Sequence, residues 1–278
     1  MNAPVRLNSA LSVRDQFPAI VGWHYLDSAA TAQKPQAVID AITNAYGRDY
    51  ATVHRGVYER SAAMTASFEA ARGAAARLIG GEEHELIFTR GATEAINLIA
   101  ARFTNGNRKR VLLSALEHHS NIVPWQLAGY AIDVVPLTED GQIDLDAAER
   151  MANESHAVVS FAHVSNVLGS ILDAKRAAQI AHKVGAKFLL DGCQAAPRMV
   201  IDVADIGCDF YVYSGHKLYG PTGIGCLWGR SELLNAMPPY QGGGAMIDQV
   251  TFAKSTFLDA PARFEAGTPH IVGAIGLH

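Results

Sequence analysis

From residue 85 onward the chain repeats one cadence: a short apolar run, a turn of small or polar residues, then apolar positions three and four apart. Leu86-Ile-Phe-Thr89 leads into a helix expected over 93–103, and Val111-Leu-Leu-Ser114 into one over 121–128. Strands over 131–136, 157–164 and 187–190 alternate with helices over 145–153 and 174–184, and a further β-rich run covers 210–213. Strands interleaved with helices in this way predict parallel pairing, right-handed crossovers and a sheet covered on both faces. Ahead of this region, Tyr25-Leu-Asp27 reads as a short strand breaking into a small-residue turn at Ala29-Ala30, with Pro35 opening a helix to about residue 50. Phe68, Ala71, Ala75 and Leu78 line one side of another helix over 61–79. The pattern predicts one α/β domain over about 21–265, after a mixed N-terminal segment over 1–20.

Composition narrows the function classes. In 278 residues, 49% are hydrophobic and 18% charged, as in a well-packed globular enzyme rather than a disordered chain. A formal charge of −4 argues against nucleic acid as the main partner, and Arg108-Lys109-Arg110, the one compact basic run, reads as a solvated turn before a strand. Cys193, Cys208 and Cys226 show no CxxC spacing, which fits a reducing cytoplasm. No signal-peptide core and no membrane-length apolar run is visible, so a cytoplasmic protein without a membrane partner is expected. Neither G-x-G-x-x-G nor G-x-x-x-x-G-K-[ST] occurs, which sets dinucleotide and ATP loops aside.

Ligands of such sheets sit outside the carboxyl ends of the strands, so the polar residues there are the candidates. Ser214-Gly-His216-Lys217 follows the run at 210–213, and a lysine hemmed in by Gly, Tyr and Leu is expected to be partly desolvated, its amine free to form a Schiff base. Asp191 ends an apolar strand, where a carboxylate is unfavourable unless paired; a helix N-cap is the plainer reading. Thr89-Arg-Gly-Ala-Thr93-Glu-Ala-Ile-Asn97 turns a strand into a helix N-terminus, suited to a phosphate or simply Thr-capped. Glu117-His118-His119-Ser-Asn121 follows another strand, and no H-E-x-x-H or second ligand cluster supports a metal there. His163-Val-Ser-Asn166 closes a further strand; His54-Arg55 and Arg263-Phe-Glu-Ala-Gly-Thr268-Pro lie outside the alternating region.

Taken in order, S-G-H-K-L-Y-G-P, R-G-A-T-E-A-I-N, E-H-H-S-N and R-F-E-A-G-T-P resemble class V aminotransferase enzymes dependent on pyridoxal 5'-phosphate (PLP), most closely the Suf-type cysteine desulfurases. The resemblance covers roughly residues 24–275. It implies the PLP-dependent transferase fold of the aspartate aminotransferase type, here its large domain, with a mainly parallel sheet covered by helices on both faces. Lys217 would carry PLP and shuttle the substrate Cα proton, and His118 would stack on its ring. Asp191 would meet the pyridinium nitrogen, with Gln194 and Asn166 near the ring hydroxyl, and Thr93, Ser214 and His216 at the phosphate. His54 and Arg55 would line the substrate mouth, and Thr268 would reach the phosphate of the other subunit of a homodimer. The implied reaction takes L-cysteine to L-alanine and passes sulfur, through a protein persulfide, to an acceptor protein for iron–sulfur cluster assembly.

The chain also departs from that pattern. In the family, the sulfur-accepting cysteine and the arginine that grips the substrate carboxylate lie in a C-terminal domain, of which residues 266–278 would be only the start. The chain as it stands is therefore expected to bind PLP without efficient desulfuration. Ser28 stands where Y-L-D-N-A-A-T has asparagine, and Cys193 where a small apolar residue is usual; Cys208 and Cys226 read as packing residues. A selenocysteine lyase, a kynureninase-like hydrolase, or a non-catalytic partner that keeps the fold stay open as alternatives.

Overall fold

The structure is a computed structural model that describes residues 10–278. Helices α1 (Gln36–Asn44) and α2 (Glu59–Arg77) come first, followed by β1 (Leu86–Thr89), α3 (Ala92–Arg102), β2 (Arg110–Ser114), α4 (Val123–Leu127), β3 (Ala131–Val135) and α5 (Leu145–Met151). Then come β4 (His156–Ala162), α6 (Ala174–Lys183), β5 (Lys187–Asp191), α7 (Val203–Ile206), β6 (Phe210–Ser214), β7 (Gly225–Gly229) and α8 (Ser231–Ala236). A hairpin of β8 (Ile247–Val250) and β9 (Ser255–Phe257) and the helix α9 (Ile271–Leu277) complete the order.

Seven strands form one sheet in the order β1-β7-β6-β5-β4-β2-β3. The five strands from β3 to β6 pair in parallel, as the strand–helix alternation predicts. β7 runs against both β6 and β1. β7 is a short, fully buried apolar run around Cys226, and nothing in its periodicity marks its direction.

Side-chain alternation builds two cores from the same strands. Phe188 and Leu190 of β5 face one cluster and Leu189 the other; Tyr211 and Tyr213 of β6 are likewise split from Phe210 and Val212. The first cluster is closed by small residues of α2, α5 and α6, the second by α3 and Trp125 of α4. Aspartates fix where helices begin: Asp144 accepts from Ala147 N (2.8 Å) ahead of α5, and Asp173 from Arg176 N (3.0 Å) ahead of α6.

Four local expectations change. The short strand expected over 25–27 does not form; Tyr25 instead turns its hydroxyl back onto Asp27 O (3.1 Å) and Thr31 O (2.6 Å). β4 stops at Ala162, because Val164 leaves the ladder to bridge Ile171. α1 gives way to a π-helical turn over Ala45–Asp49. Arg108 is no solvated turn residue: its guanidinium donates to the carbonyls of His156 (3.2 Å), at the start of β4, and Val184 (2.9 Å), at the end of α6.

The strand order also fixes where a ligand belongs. The chain leaves β2 for β3 on one side and β4 for β5 on the other, so the connections diverge between β2 and β4. In such sheets that divergence opens a crevice above the carboxyl ends.

Candidate active site

Above those carboxyl ends lies a cavity of about 500 Å³, walled by six different loop starts. Asp191, Cys193 and Gln194 follow β5; Ser214, His216 and Lys217 follow β6; Ala162, Val164 and Asn166 come from the end of β4. His118 and Ser120 follow β2, Ala92 and Thr93 open α3, and Asp27, Ala29 and Ala30 close the remaining side. Eight residues expected at the site (Thr93, His118, Asn166, Asp191, Gln194, Ser214, His216 and Lys217) thus meet in one space.

The Lys217 turn is held from both sides. Gly215 N donates to Ile224 O (2.9 Å), and Leu218 N and Gly220 N both return to Gly215 O. The His216 carbonyl accepts from Ala32 N (2.9 Å), Lys34 Nζ (2.9 Å) and Thr31 Oγ1 (3.3 Å). The lysine itself is half-buried, and among the described residues its amine makes no hydrogen bond or ion pair.

Asp191 is 6% exposed, and one of its oxygens accepts from Cys193 N (2.9 Å). No cation pairs with it among the described residues. Gly192 next to it permits this packing, since a Cβ there would fall 2.2 Å from the Tyr211 hydroxyl oxygen.

At the mouth of α3, Gly91 has φ of 154°, and Ala92 N donates to Ser214 Oγ (2.9 Å). The next amides of the first turn have no partner in the helix and carry the positive end of its dipole.

His118 sits at the rim. Its Nδ1 accepts from Ser120 N (3.2 Å), so the neutral ring carries its proton on Nε2. Burial lowers its pKa, and the nearby Lys217 lowers it further. Gln194 is less free than expected: Nε2 donates to Ala29 O (2.7 Å) and Oε1 accepts from Arg198 (2.9 Å), so the amide braces the Ala29-Ala30 turn.

Thr268, His54 and Arg55 do not reach this cavity. They line a second one of about 730 Å³, together with Glu69, Arg72 and Glu265. There Arg72 is held bidentately by Glu265 (2.6 and 2.9 Å) while His54 Nε2 meets Glu69 (2.8 Å).

The buried thiols are not set up as nucleophiles. Burial pushes Cys208 and Cys226 up to about 12, and burial beside Asp191 raises Cys193 as well.

Two groups that the sequence did not single out also serve the site. Lys34 braces the carbonyl before Lys217, and Glu117 lies behind the His118 turn. A glutamate wedged between a strand end and two histidines was the available signal for the second.

The cavity fits a small anionic aldehyde cofactor such as PLP on this structure's own features. It has an unpaired amine, a buried carboxylate without a cation, a helix N-terminus, and apolar walls at Ala162 and Val164.

Residues 24–278 match the family described as aminotransferase class-V. A cysteine desulfurase of Dickeya dadantii is 45% identical over all of this chain and 71% of its own length. One from Klebsiella pneumoniae is 48% identical over 91% of this chain and 64% of its own. Among solved structures, an Escherichia coli cysteine desulfurase in an S-sulfonic acid form superposes with a TM-score of 0.90 at 39% identity, over 98% of this chain and 70% of that one. The apo cysteine desulfurase of Thermococcus onnurineus gives 0.91 at 35%, covering 98% and 69%. The chain thus spans about two thirds of the length of these relatives.

Proposed function

We propose, from the premise that the chain belongs to the class-V aminotransferase family and within it to the cysteine desulfurases, that it forms the PLP-binding part of a Suf-type cysteine desulfurase. The enzyme would act in the cytoplasm, take L-cysteine to L-alanine, and supply sulfur to an acceptor protein for iron–sulfur cluster assembly. The observation that carries the reading is the unpaired Lys217 amine sharing one cavity with the buried, cation-free Asp191 and the N-terminus of α3.

Bound PLP supplies an electron sink for the pair released when a substrate Cα–H bond breaks. Lys217 would hold the cofactor aldehyde carbon and move the proton at Cα. Asp191 would keep the ring nitrogen protonated through its carboxylate. The α3 amides, Thr93, Ser214 and His216 would hold the phosphate, and His118 would cover one ring face with its Nε2 proton toward the cavity. Asn166 and Gln194 would border the ring hydroxyl, although Gln194 already spends its amide on Ala29 and Arg198.

The sulfur-accepting thiolate is proposed to lie outside these 278 residues. The raised pKa values of Cys193, Cys208 and Cys226 leave each a poor nucleophile at neutral pH. Residues 266–278 would then open a second, smaller domain that follows the large one over 21–265.

A homodimer is part of the proposal. Thr268, His54 and Arg55 share a cavity of their own, and a second copy could bring that face to the first cavity, Thr268 toward the phosphate and the other two toward the substrate. Light scattering tests this: a monomer that binds PLP at full strength rules out a shared site.

The decisive experiment adds PLP, reduces with borohydride and maps the peptides. A pyridoxyl group on Lys217 is expected; its appearance on another lysine, or none on the folded chain, ends the reading.

A further inference from the structure

Glu117 is 8% exposed, lines neither large cavity, and takes no part in the chemistry described above. Its carboxylate spans the crevice between β2 and β4. Oε1 accepts from Ser114 Oγ (2.5 Å) at the end of β2 and from Ala162 N (3.1 Å) at the end of β4. Oε2 accepts from Asn121 Nδ2 (2.7 Å) on the far side of the His118 turn. The β2–β4 ladder ends at the Leu113–Ser160 pair, so Ala162 N lies beyond it and Glu117 satisfies it in place of a strand partner.

The polarity of this cluster is fixed. Trp125 Nε1 is donor-only and points at Asn121 Oδ1 (3.1 Å), which also accepts from Ser160 Oγ (2.7 Å). A flipped Asn121 would aim its Nδ2 at the donor-only indole of Trp125, so Nδ2 must face Glu117. Ala162 N is a donor too. Each oxygen of Glu117 therefore has to accept, and a glutamine would turn its own N–H₂ onto one of these donors.

The charges around it are few. Asp191 approaches from β5; His118 and His119 flank it on its own turn; β4 offers only Ser160 and Ala162, and α4 the indole of Trp125. Among the described residues no lysine or arginine pairs with Glu117. Burial consequently raises its pKa to about 7.

We infer that Glu117 is a positioning residue, an all-acceptor keystone that pins the His118 turn to the ends of β2 and β4 and so sets the seat of the cofactor ring. The inference rests on the proposed PLP site. It makes ring seating depend on pH: of the three partners only the Ser114 hydroxyl can also accept, so protonation turns that bond around and weakens the hold on Ala162 N and Asn121 Nδ2, and the seat loosens as pH falls through neutrality.

The test titrates PLP into the whole chain in three forms: wild type, Glu117→Gln and Ser114→Ala. It reads the dissociation constant from visible absorbance, and the visible circular dichroism per bound cofactor from pH 5.5 to 8.5. The dichroism is followed at the wavelength where absorbance does not change with pH, so that titration of the cofactor linkage itself is not counted. Wild type should lose dichroism below an inflection near neutrality. Glu117→Gln should bind PLP at least tenfold more weakly, with a low, pH-independent dichroism. Ser114→Ala removes a donor to the ionised carboxylate, so its inflection should move to higher pH by half a unit or more, with affinity within about threefold of wild type. Wild-type affinity and dichroism in Glu117→Gln overturn the inference. If that variant does not fold, a missing wild-type inflection, or one unmoved in Ser114→Ala, overturns it instead. A wild type with no visible band at all removes the PLP reading and this inference together.

Discussion

Among the described residues, the ionisable groups buried at the amino-terminal ends of the strands have partners of opposite charge or an ionisable partner, whereas at the carboxyl ends several have neither. Asp209, 2% exposed just before β6, meets His182 (2.7 Å), Lys187 (3.5 Å) and Arg230 (3.5 Å), and accepts from Phe188 N. Asp133 of β3 likewise holds Arg110 (2.8 Å) and His156 (2.9 Å). Across the sheet, Asp191 and Glu117 have only neutral donors, the Lys217 amine has no partner, and the His163 ring, kept uncharged by burial, has only the Tyr211 hydroxyl at 3.4 Å, all among the described residues. A buried charge without its counterion is unfavourable, and it persists where a ligand supplies the missing partner or where the charge performs a task. One end of the sheet is therefore built for stability and the other for a guest.

That contrast can be broken in four places. Lys217→Ala should abolish borohydride-fixed cofactor entirely, yet leave the stability of the unliganded chain within about 0.5 kcal/mol of wild type, since its amine holds nothing. Denaturant melts beside the labelling assay check both halves. Asp209→Ala should do the reverse, destabilising by about 4 kcal/mol because two cations, the His182 ring and a buried amide lose their partner. Once folded, that variant should bind PLP within about threefold of wild type; a large loss of affinity would erase the distinction between the two ends.

The third place is His163, whose pKa burial lowers to about 4. The unfolded chain takes up this proton near pH 6.5 and the native chain only near 4, so stability is full above 6.5 and lost as pH falls. Roughly 3 kcal/mol is at stake over that interval, and urea melts should show the slope flattened in His163→Gln. Glu117 acts in the opposite sense: with its native pKa raised above the ordinary carboxylate value, stability declines as pH rises from about 4.5 to about 7. Each slope is therefore read as the difference between wild type and variant. Smallest is Asp191→Ala: without cofactor it should stay within about 1 kcal/mol of wild type, while PLP affinity falls at least tenfold. Calorimetry with and without PLP separates the two numbers.

The site was legible where it depends on local order. Asp191, Ser214 and Asn166 each fall at or just past the end of an apolar strand, and a parallel sheet must gather such positions at one edge. His54, Arg55 and Thr268 carry no such placement, because they lie outside the strand–helix alternation. Only three dimensions show that they share a cavity with Arg72 and apart from Lys217. Glu117 was hidden by its neighbours: in E-H-H-S-N the histidines look chemical, and a glutamate declares itself only when the strand ends it joins are known. The run of β7 against its neighbours had no local signal, since an apolar five-residue strand reads the same in either direction.

That antiparallel β7 has a consequence for how the molecule comes into being. β1 is made early, yet its only partner in the sheet is β7, whose first residue, Gly225, pairs with Thr89. The parallel block from β2 to β6 can form from chain already synthesised, while β1, with α3 behind it, waits for a contact of high sequence separation. The wall of the cavity made by Ala92 and Thr93 should then be the last to close. A nascent chain would be unable to capture cofactor before its sheet is complete. Pulse-labelled hydrogen exchange during refolding should find the amides of β1 protected after those of β4 and β5; the reverse order would show that β1 docks by another route.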